Sequence, residues 1–164
     1  MNNEEKNNIF QDEDQSSIKM SWEDPLNSCI NMFKGVTDIK SINLSEFDTS
    51  QLADMSYMLS GCTNLESLNL QNLKLSAVDN LNSIFQSFVS LKEVDLSNLD
   101  ASLAIAMTGM LSGWTSIASI NLSNLKLGSV TDMSYLFDKC MFAQRIDLLN
   151  INTKIVQDMS HLFS

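Results

Sequence analysis

The sequence predicts an α/β fold: a solenoid of 26-residue strand–helix turns with parallel strands on its concave face. Three observations predict it. The triplet I-N-L at 42–44 returns as L-N-L ending at Leu70, V-D-L at Leu96, I-N-L at Leu122 and I-D-L at Leu148, with no residue gained or lost. Companion columns keep the same step: Met55, Leu81, Met107, Met133 and Met159 share one position, and Leu59, Phe85, Leu111, Phe137 and Phe163 another. Within each turn, an apolar alternation of two (Leu68, Leu70) gives way to apolar spacings of three and four (Met55, Met58, Leu59, Cys62, Leu65). The first is the signature of a half-buried strand, the second of an amphipathic helix.

Taken in order, residues 1–15 lack periodicity. Acid is dense here and just beyond: Glu4, Glu5, Asp12, Glu13, Asp14, Glu23 and Asp24 face only Lys6 and Lys19. This head reads as a disordered acidic tail, and residues 16–164 as the solenoid of five to six turns. Ile18 to Trp22 is the opening strand, with Ile18 one step before Leu44; Pro25 follows in a loop. Cys29 to Val36 matches the later helices, and its degeneracy suits an end cap. Each later helix is expected to start at Asp54, Asn80, Asp132 or Asp158, where a short acceptor serves as N-cap. Ala106 stands at that position in the fourth, which should therefore have the weakest start. Strands stack about 4.8 Å apart and helices about 10 Å, so the array should curve with strands inside.

A slower rhythm overlies this one. Asp48, Lys74, Asp100, Lys126 and Asn152 alternate in charge, and Ser60-Gly61 matches Ser112-Gly113 but neither turn between and after. A duplicated two-turn unit accounts for both, with opposite charges stacked a strand apart.

The formal charge of −10, with ten scattered basic residues, argues against nucleic acid, since no basic stripe can displace counterions. There is no apolar segment of signal-peptide type and none long enough to span a bilayer. Cys62 and Cys140 share one column with Val36, Phe88 and Trp114. Three turns place the two thiols roughly 14 Å apart, beyond disulfide reach. Cys29 falls in the methionine column, so all three read as buried, reduced thiols.

Strand alternation puts a polar face in view. Its middle column is Asn43, Asn69, Asp95, Asn121 and Asp147, flanked by Ser41, Ser67, Glu93, Ser119 and Arg145. The row is either a ligand face or a ladder of amides satisfying one another. The candidate binding residues are Asn43, Asn69, Glu93, Asp95, Asn121, Arg145 and Asp147. Glu93, Asp95 and Asp147 are the acidic cluster on which acid–base chemistry would have to rest. No cationic or metal-ligating neighbour accompanies them. His161, the single histidine, has no thiolate or carboxylate in register. With five glycines and no phosphate loop or nucleophile motif, neither cofactor, metal site nor catalytic residue is expected.

The segments INLSEFDTSQLADMSYMLSGCTNLESLNL and SINLSNLKLGSVTDMSYLFDKC resemble the BspA-like leucine-rich-repeat surface proteins, closest to the mycoplasma-type domain of unknown function. Leu44 to Ser50, Val130 to Met133 and Leu136-Phe137 through Cys140 carry that family's pattern. Leu73-Lys74-Leu75, Leu99-Asp100-Ala101, Phe88 and Trp114 depart from it. The resemblance implies a leucine-rich-repeat solenoid without enzymatic activity, serving protein–protein recognition or cell-surface adhesion toward a host or surface protein. It also implies export, which this N-terminus does not suggest. An intracellular scaffold, or a carbohydrate-active enzyme using Glu93, Asp95 and Asp147, are the alternatives. Ser164 falls inside the sixth turn, leaving Met159, Leu162 and Phe163 uncovered. That reads as truncation or as an end available for self-association.

Overall fold

The computed structural model describes the backbone of residues 7–11 and 17–22, and residues 26–97 and 99–164 with their side chains. The acidic residues of the head and Pro25 lie outside this set. Seven strands appear: β1 (Asn7–Gln11), β2 (Ser17–Trp22), β3 (Ser41–Asn43), β4 (Ser67–Asn69), β5 (Glu93–Asp95), β6 (Ser119–Asn121) and β7 (Arg145–Asp147). They form two sheets, β1-β2-β3-β4 and β5-β6-β7. The β1–β2 pair is antiparallel and every other pair is parallel. Residues 7–11, placed by sequence inside the unstructured head, thus pair with β2.

From β3 onward the parallel partners stand one 26-residue step apart, as Ile42 with Leu68 and Ile120 with Ile146. The opening strand is the exception. Ile18 pairs with Ile42 and not with Leu44, so the first coil is two residues short on its strand side. Its far side is already in step, because Ser28 bridges to Asp54.

The strand–helix expectation is overturned: the described residues contain no helix. The segment expected to be helical is a ladder of turns whose amides serve two masters. The N–H groups of Met55, Tyr57, Leu59 and Gly61 donate to Asn80, Asn82, Ile84 and Gln86 in the next coil, at 2.8–3.1 Å. Between them, Met58, Ser60 and Cys62 donate back three residues, to Met55, Tyr57 and Leu59. An α-helix would need all of these amides for bonds within the segment. Left-handed residues seal the difference, with φ of 56° at Tyr57 and 79° at Gly61, and their counterparts Ser83, Ser87, Gly109, Gly113, Tyr135 and Lys139 do the same. Apolar spacings of three and four survive because each turn of this ladder also returns a side chain inward after three or four residues.

The curvature argument falls with the helices. Coils are joined on the turn side by backbone hydrogen bonds, as on the strand side everywhere but between β4 and β5, so the turn side advances by one strand spacing and not by a helix diameter. No difference in width remains to bend the strands inward.

The expected helix caps instead close Asx turns, in which an Asn or Asp oxygen accepts from the N–H two residues on. Asp54, Asn80, Asp132 and Asp158 bind the amides of Ser56, Asn82, Ser134 and Ser160 at 2.7–3.1 Å. Ala106 cannot, yet the start it was expected to weaken is repaired from the previous coil: Thr108 N–H donates to Asn82 Oδ1 at 2.9 Å.

Between strands and turns lies one continuous apolar core. Leu44, Leu70, Leu96 and Leu122 align as a buried column, whereas Leu148 in the last coil is 43% exposed. Met141, Phe142, Leu149 and Phe163 are also exposed there. The column shared by the cysteines proves to be a donor position. Cys62 Sγ donates to Phe33 O and Cys140 Sγ to Leu111 O, both at 3.2 Å, and Trp114 Nε1 takes the same role toward Phe85 O. Phe88 has no donor and compensates by packing: its ring lies 5.5 Å from Trp114, stacked, and 6.0 Å from Phe85.

Two substitutions probe this stacking. A methyl group on Gly128 would stand 2.6 Å from the backbone oxygen of Ser102 in the preceding coil. Gly128→Ala should therefore cost about 1–3 kcal/mol in urea unfolding, while Ser76→Ala, one coil further back in the same column, should be close to neutral. Trp114→Phe keeps an aromatic ring but leaves the Phe85 carbonyl without its donor. A loss of about 1–3 kcal/mol is expected by the same measurement.

Candidate functional site

The face predicted from alternation is built by β3 to β7. Register sets Glu93, Ser119 and Arg145 in one row and Asp95, Asn121 and Asp147 in the next. Ser41 with Ser67, and Asn43 with Asn69, continue the two rows in the first sheet. The middle row is occupied locally. Asn43, Asn69, Asp95, Asn121 and Asp147 each accept through Oδ1 from the N–H two residues on, at 2.9–3.0 Å. Each closes the turn that ends its own strand, and no amide ladder runs down this column among the described residues. Amide links between coils occur elsewhere, from Asn80 to Asp54 at 2.9 Å and from Asn150 to Asn124 at 3.0 Å.

Every row member has a second carboxylate or amide atom that does not close the turn, on exposed side chains at Asn69 and Asp95 and half-buried ones at Asn43, Asn121 and Asp147. Arg145 Nη2 holds Asp147 Oδ2 at 3.0 Å. The Leu149 N–H, followed by Arg145, keeps the Asp147 carboxyl below its ordinary range. Asp95 and Asp147 share a row with Asn121 between them, and Glu93 stands in the other row, two strands from Arg145. The three carboxylates expected to converge in an enzyme reading are thus spread over two rows and two strands.

The face is interrupted. No backbone ladder joins β4 to β5, although the turn side runs through without a break from Ser28 to Asp158. Side chains beside the interruption are the more open ones: Asn69, Glu93 and Asp95 are exposed, while Asn43 and Asn121 are half-buried. Two open grooves of about 640 and 460 Å³ lie at the gap, the first between Leu68–Lys74 and Asp95, the second running from Glu66–Leu68 past Glu93–Asp95 to Ser119 and Asn121; others of about 430 and 460 Å³ lie beside Phe47 and Leu125.

Neighbours in the alternating charge row act on one another on both sides of the interruption: after the Ser50 hydrogen bonds, the Lys74 charge also lowers the Asp48 carboxyl. Lys126 Nζ reaches Asp100 Oδ2 at 2.9 Å, whereas Lys74 and Asp100, which flank the interruption, make no ion pair with each other. His161, read from sequence as lacking a thiolate or carboxylate in register, stacks on Tyr135 with centroids 4.7 Å apart and rings 8° from parallel. Sequence reasoning missed this contact although the two residues lie one step apart. It also missed the Lys34 ammonium, 4.5 Å above the Tyr57 ring. Burial pushes the thiols of Cys29, Cys62 and Cys140 up to about 11. No group of three or more His, Cys, Asp or Glu among the described residues is arranged to hold a metal ion, and no described helix could cross a membrane.

The turn-closing carboxylates link stability to acid. Hydrogen bonds from Ser50 lower Asp48, and those from Ser102 and Lys126 lower Asp100. Burial opposes the shift at Asp132, yet the Ser134 amide and hydroxyl and the Thr108 hydroxyl carry it downward too. A carboxyl with a depressed folded pKa stabilises the fold above its ordinary value of 3.8, and that stabilisation is lost as pH falls through the folded value. Unfolding free energy should hold level from neutrality to about pH 4 and then decline. Asp100→Asn should make that decline shallower in a denaturant series across pH.

The family model described as "Mycoplasma protein of unknown function, DUF285" matches residues 27–140 and, in a second overlapping match, 90–164. No curated protein and no solved structure matches the chain significantly. Together the two overlapping matches span residues 27–164, well over half of the chain, so the chain belongs to the DUF285 family of Mycoplasma-type proteins.

Proposed function

We propose that the protein is a non-catalytic protein-recognition module of the BspA-like leucine-rich-repeat surface type, engaging a host or cell-surface protein through the face of β3 to β7. The observation that carries this reading is the division of labour on that face. In the Asn/Asp row one oxygen holds the turn and is the same in every coil, while the flanking row varies freely through Ser41, Ser67, Glu93, Ser119 and Arg145. Such a surface changes its chemistry without disturbing its backbone, which is what a recognition scaffold requires. A surface module is separated from an intracellular scaffold of the same build by locating the tagged full-length protein in its cell.

The face can be tested without breaking it. Asp95→Asn and Asp147→Asn retain the oxygen that closes each turn and remove only the charge. The double variant should remain folded with a cooperative unfolding transition, and bind an identified protein partner at least about tenfold more weakly, equivalent to about 1.4 kcal/mol. Unchanged affinity in a titration calorimeter would take the binding role away from this face.

A further inference from the structure

The interruption between β4 and β5 is a pair of strand edges facing one another across a gap. In a parallel ladder the N–H and C=O of one residue point to the same side, and successive residues alternate. Ser67 N–H donates to Lys40 O, and Leu44 N–H donates to Asn69 O, so Ser67 and Asn69 face β3. Leu68 therefore turns its backbone groups toward β5. On the other side, Lys92 O accepts from Ala118 N–H and Leu96 N–H donates to Asn121 O, so Lys92, Val94 and Leu96 face β6. Glu93 and Asp95 are left to face β4. Both edges consequently offer donors and acceptors to the same opening, and no ladder between them uses these groups.

The core runs on beneath the gap, with its side chains slightly less covered there. Leu70 and Val94 are 7% and 8% exposed, against 0% for Leu44 and Leu96 and 1% for Ile42 and Ile120 in the same columns. The groove of about 640 Å³ lies within the range of pockets that hold ligands, roughly 300–1,000 Å³. Its companion is lined by Glu66, Glu93 and Asp95. Lys74, at the far end of the larger groove, is the one cation among the lining residues.

We propose that this opening receives an extended, lysine- or arginine-bearing peptide segment of a partner protein, which pairs as a strand with Leu68 on one side and with Glu93 and Asp95 on the other. Strand addition supplies affinity through main-chain bonds and selectivity through alternate side chains. A parted sheet supplies it twice, from both edges. Basic side chains at every second position would meet Glu93 and Asp95, Glu66 already standing 3.9 Å from Lys40 Nζ, and the apolar ones between would cover Leu70 and Val94. The inference rests on the recognition reading above in taking a peptide as the ligand.

The test uses the full chain, acetyl-Lys-Val-Lys-Val-Lys-amide, and the same peptide with glutamate in place of lysine. In the free protein the amides of Leu68, Glu93 and Asp95 should exchange with solvent faster than those of Ile42 and Val94. The lysine peptide should slow them and shift their resonances saturably, and the glutamate peptide should do neither. Leu68→Pro removes a donor aimed at the opening and should abolish this binding. Glu93→Gln with Asp95→Asn, which spares the backbone, should weaken it at least about tenfold. Equal protection of all five amides in the free protein would show a closed sheet and overturn the proposal, as would equal binding of both peptides. Shifts centred on Asn43 and Asn121 with the opening untouched would overturn it and leave the recognition face standing. A partner protein bound with wild-type affinity by Leu68→Pro, and lost by Asp95→Asn with Asp147→Asn, would have the same meaning.

Discussion

Everything in this molecule depends on backbone amides that each coil lends to the next. Met55, Tyr57, Leu59 and Gly61 bond forward by one coil, and the same positions do so again from Leu81, from Met107 and from Met133. A single coil leaves these groups without partners and its Leu and Met columns half uncovered. Stacking satisfies both at once, because the step that aligns the amides also aligns the apolar side chains. The 26-residue spacing is therefore held by hydrogen bonding and burial together, and an insertion within a coil would break both.

That constraint explains the small residues and short acceptors that punctuate the chain. Alternate amides can reach the neighbouring coil only if the chain turns back on itself every few residues, which requires left-handed backbone at Gly61, Gly113 and their counterparts. Amides at the corners would still be unpaired, and Asn or Asp oxygens take them, from Asn43 through Asp158. The same residues that first look like a ligand row are thus fasteners, with one oxygen closing the turn and the remaining polar atom not engaged in it. Function on this face is carried by what the fastening leaves over.

The ladder is continuous on the turn side and open once on the strand side. The opening coincides with departures in the repeat: the stretch Leu73-Lys74-Leu75 lies on one bank and Leu99-Asp100-Ala101 on the other. Lys74 and Asp100, whose counterparts Asp100 and Lys126 are bridged at 2.9 Å, are not joined across it. Two edges and an acidic lining meet at one place, and this distinguishes the middle of the face from its ends.

The step, the columns and the polarity of each position are written along the chain. Residues recurring at equal spacing are forced into equal environments once coils stack, so the pairing of Ile42 with Leu68 and the burial of Leu44, Leu96 and Leu122 were legible in advance. The identity of the second element was not. Apolar spacings of three and four suit a helix and a ladder of turns alike, and only the destination of the amides separates them. Gly35, Gly61 and Gly113, spaced as one column with Ser87 and Lys139, were the available warning against a helix. Tertiary structure also decided the two-residue shortening before β3, the stacking of His161 on Tyr135 and the gap between β4 and β5. Each depends on how neighbouring coils settle against one another in space, a relation that a periodic pattern along one chain does not contain.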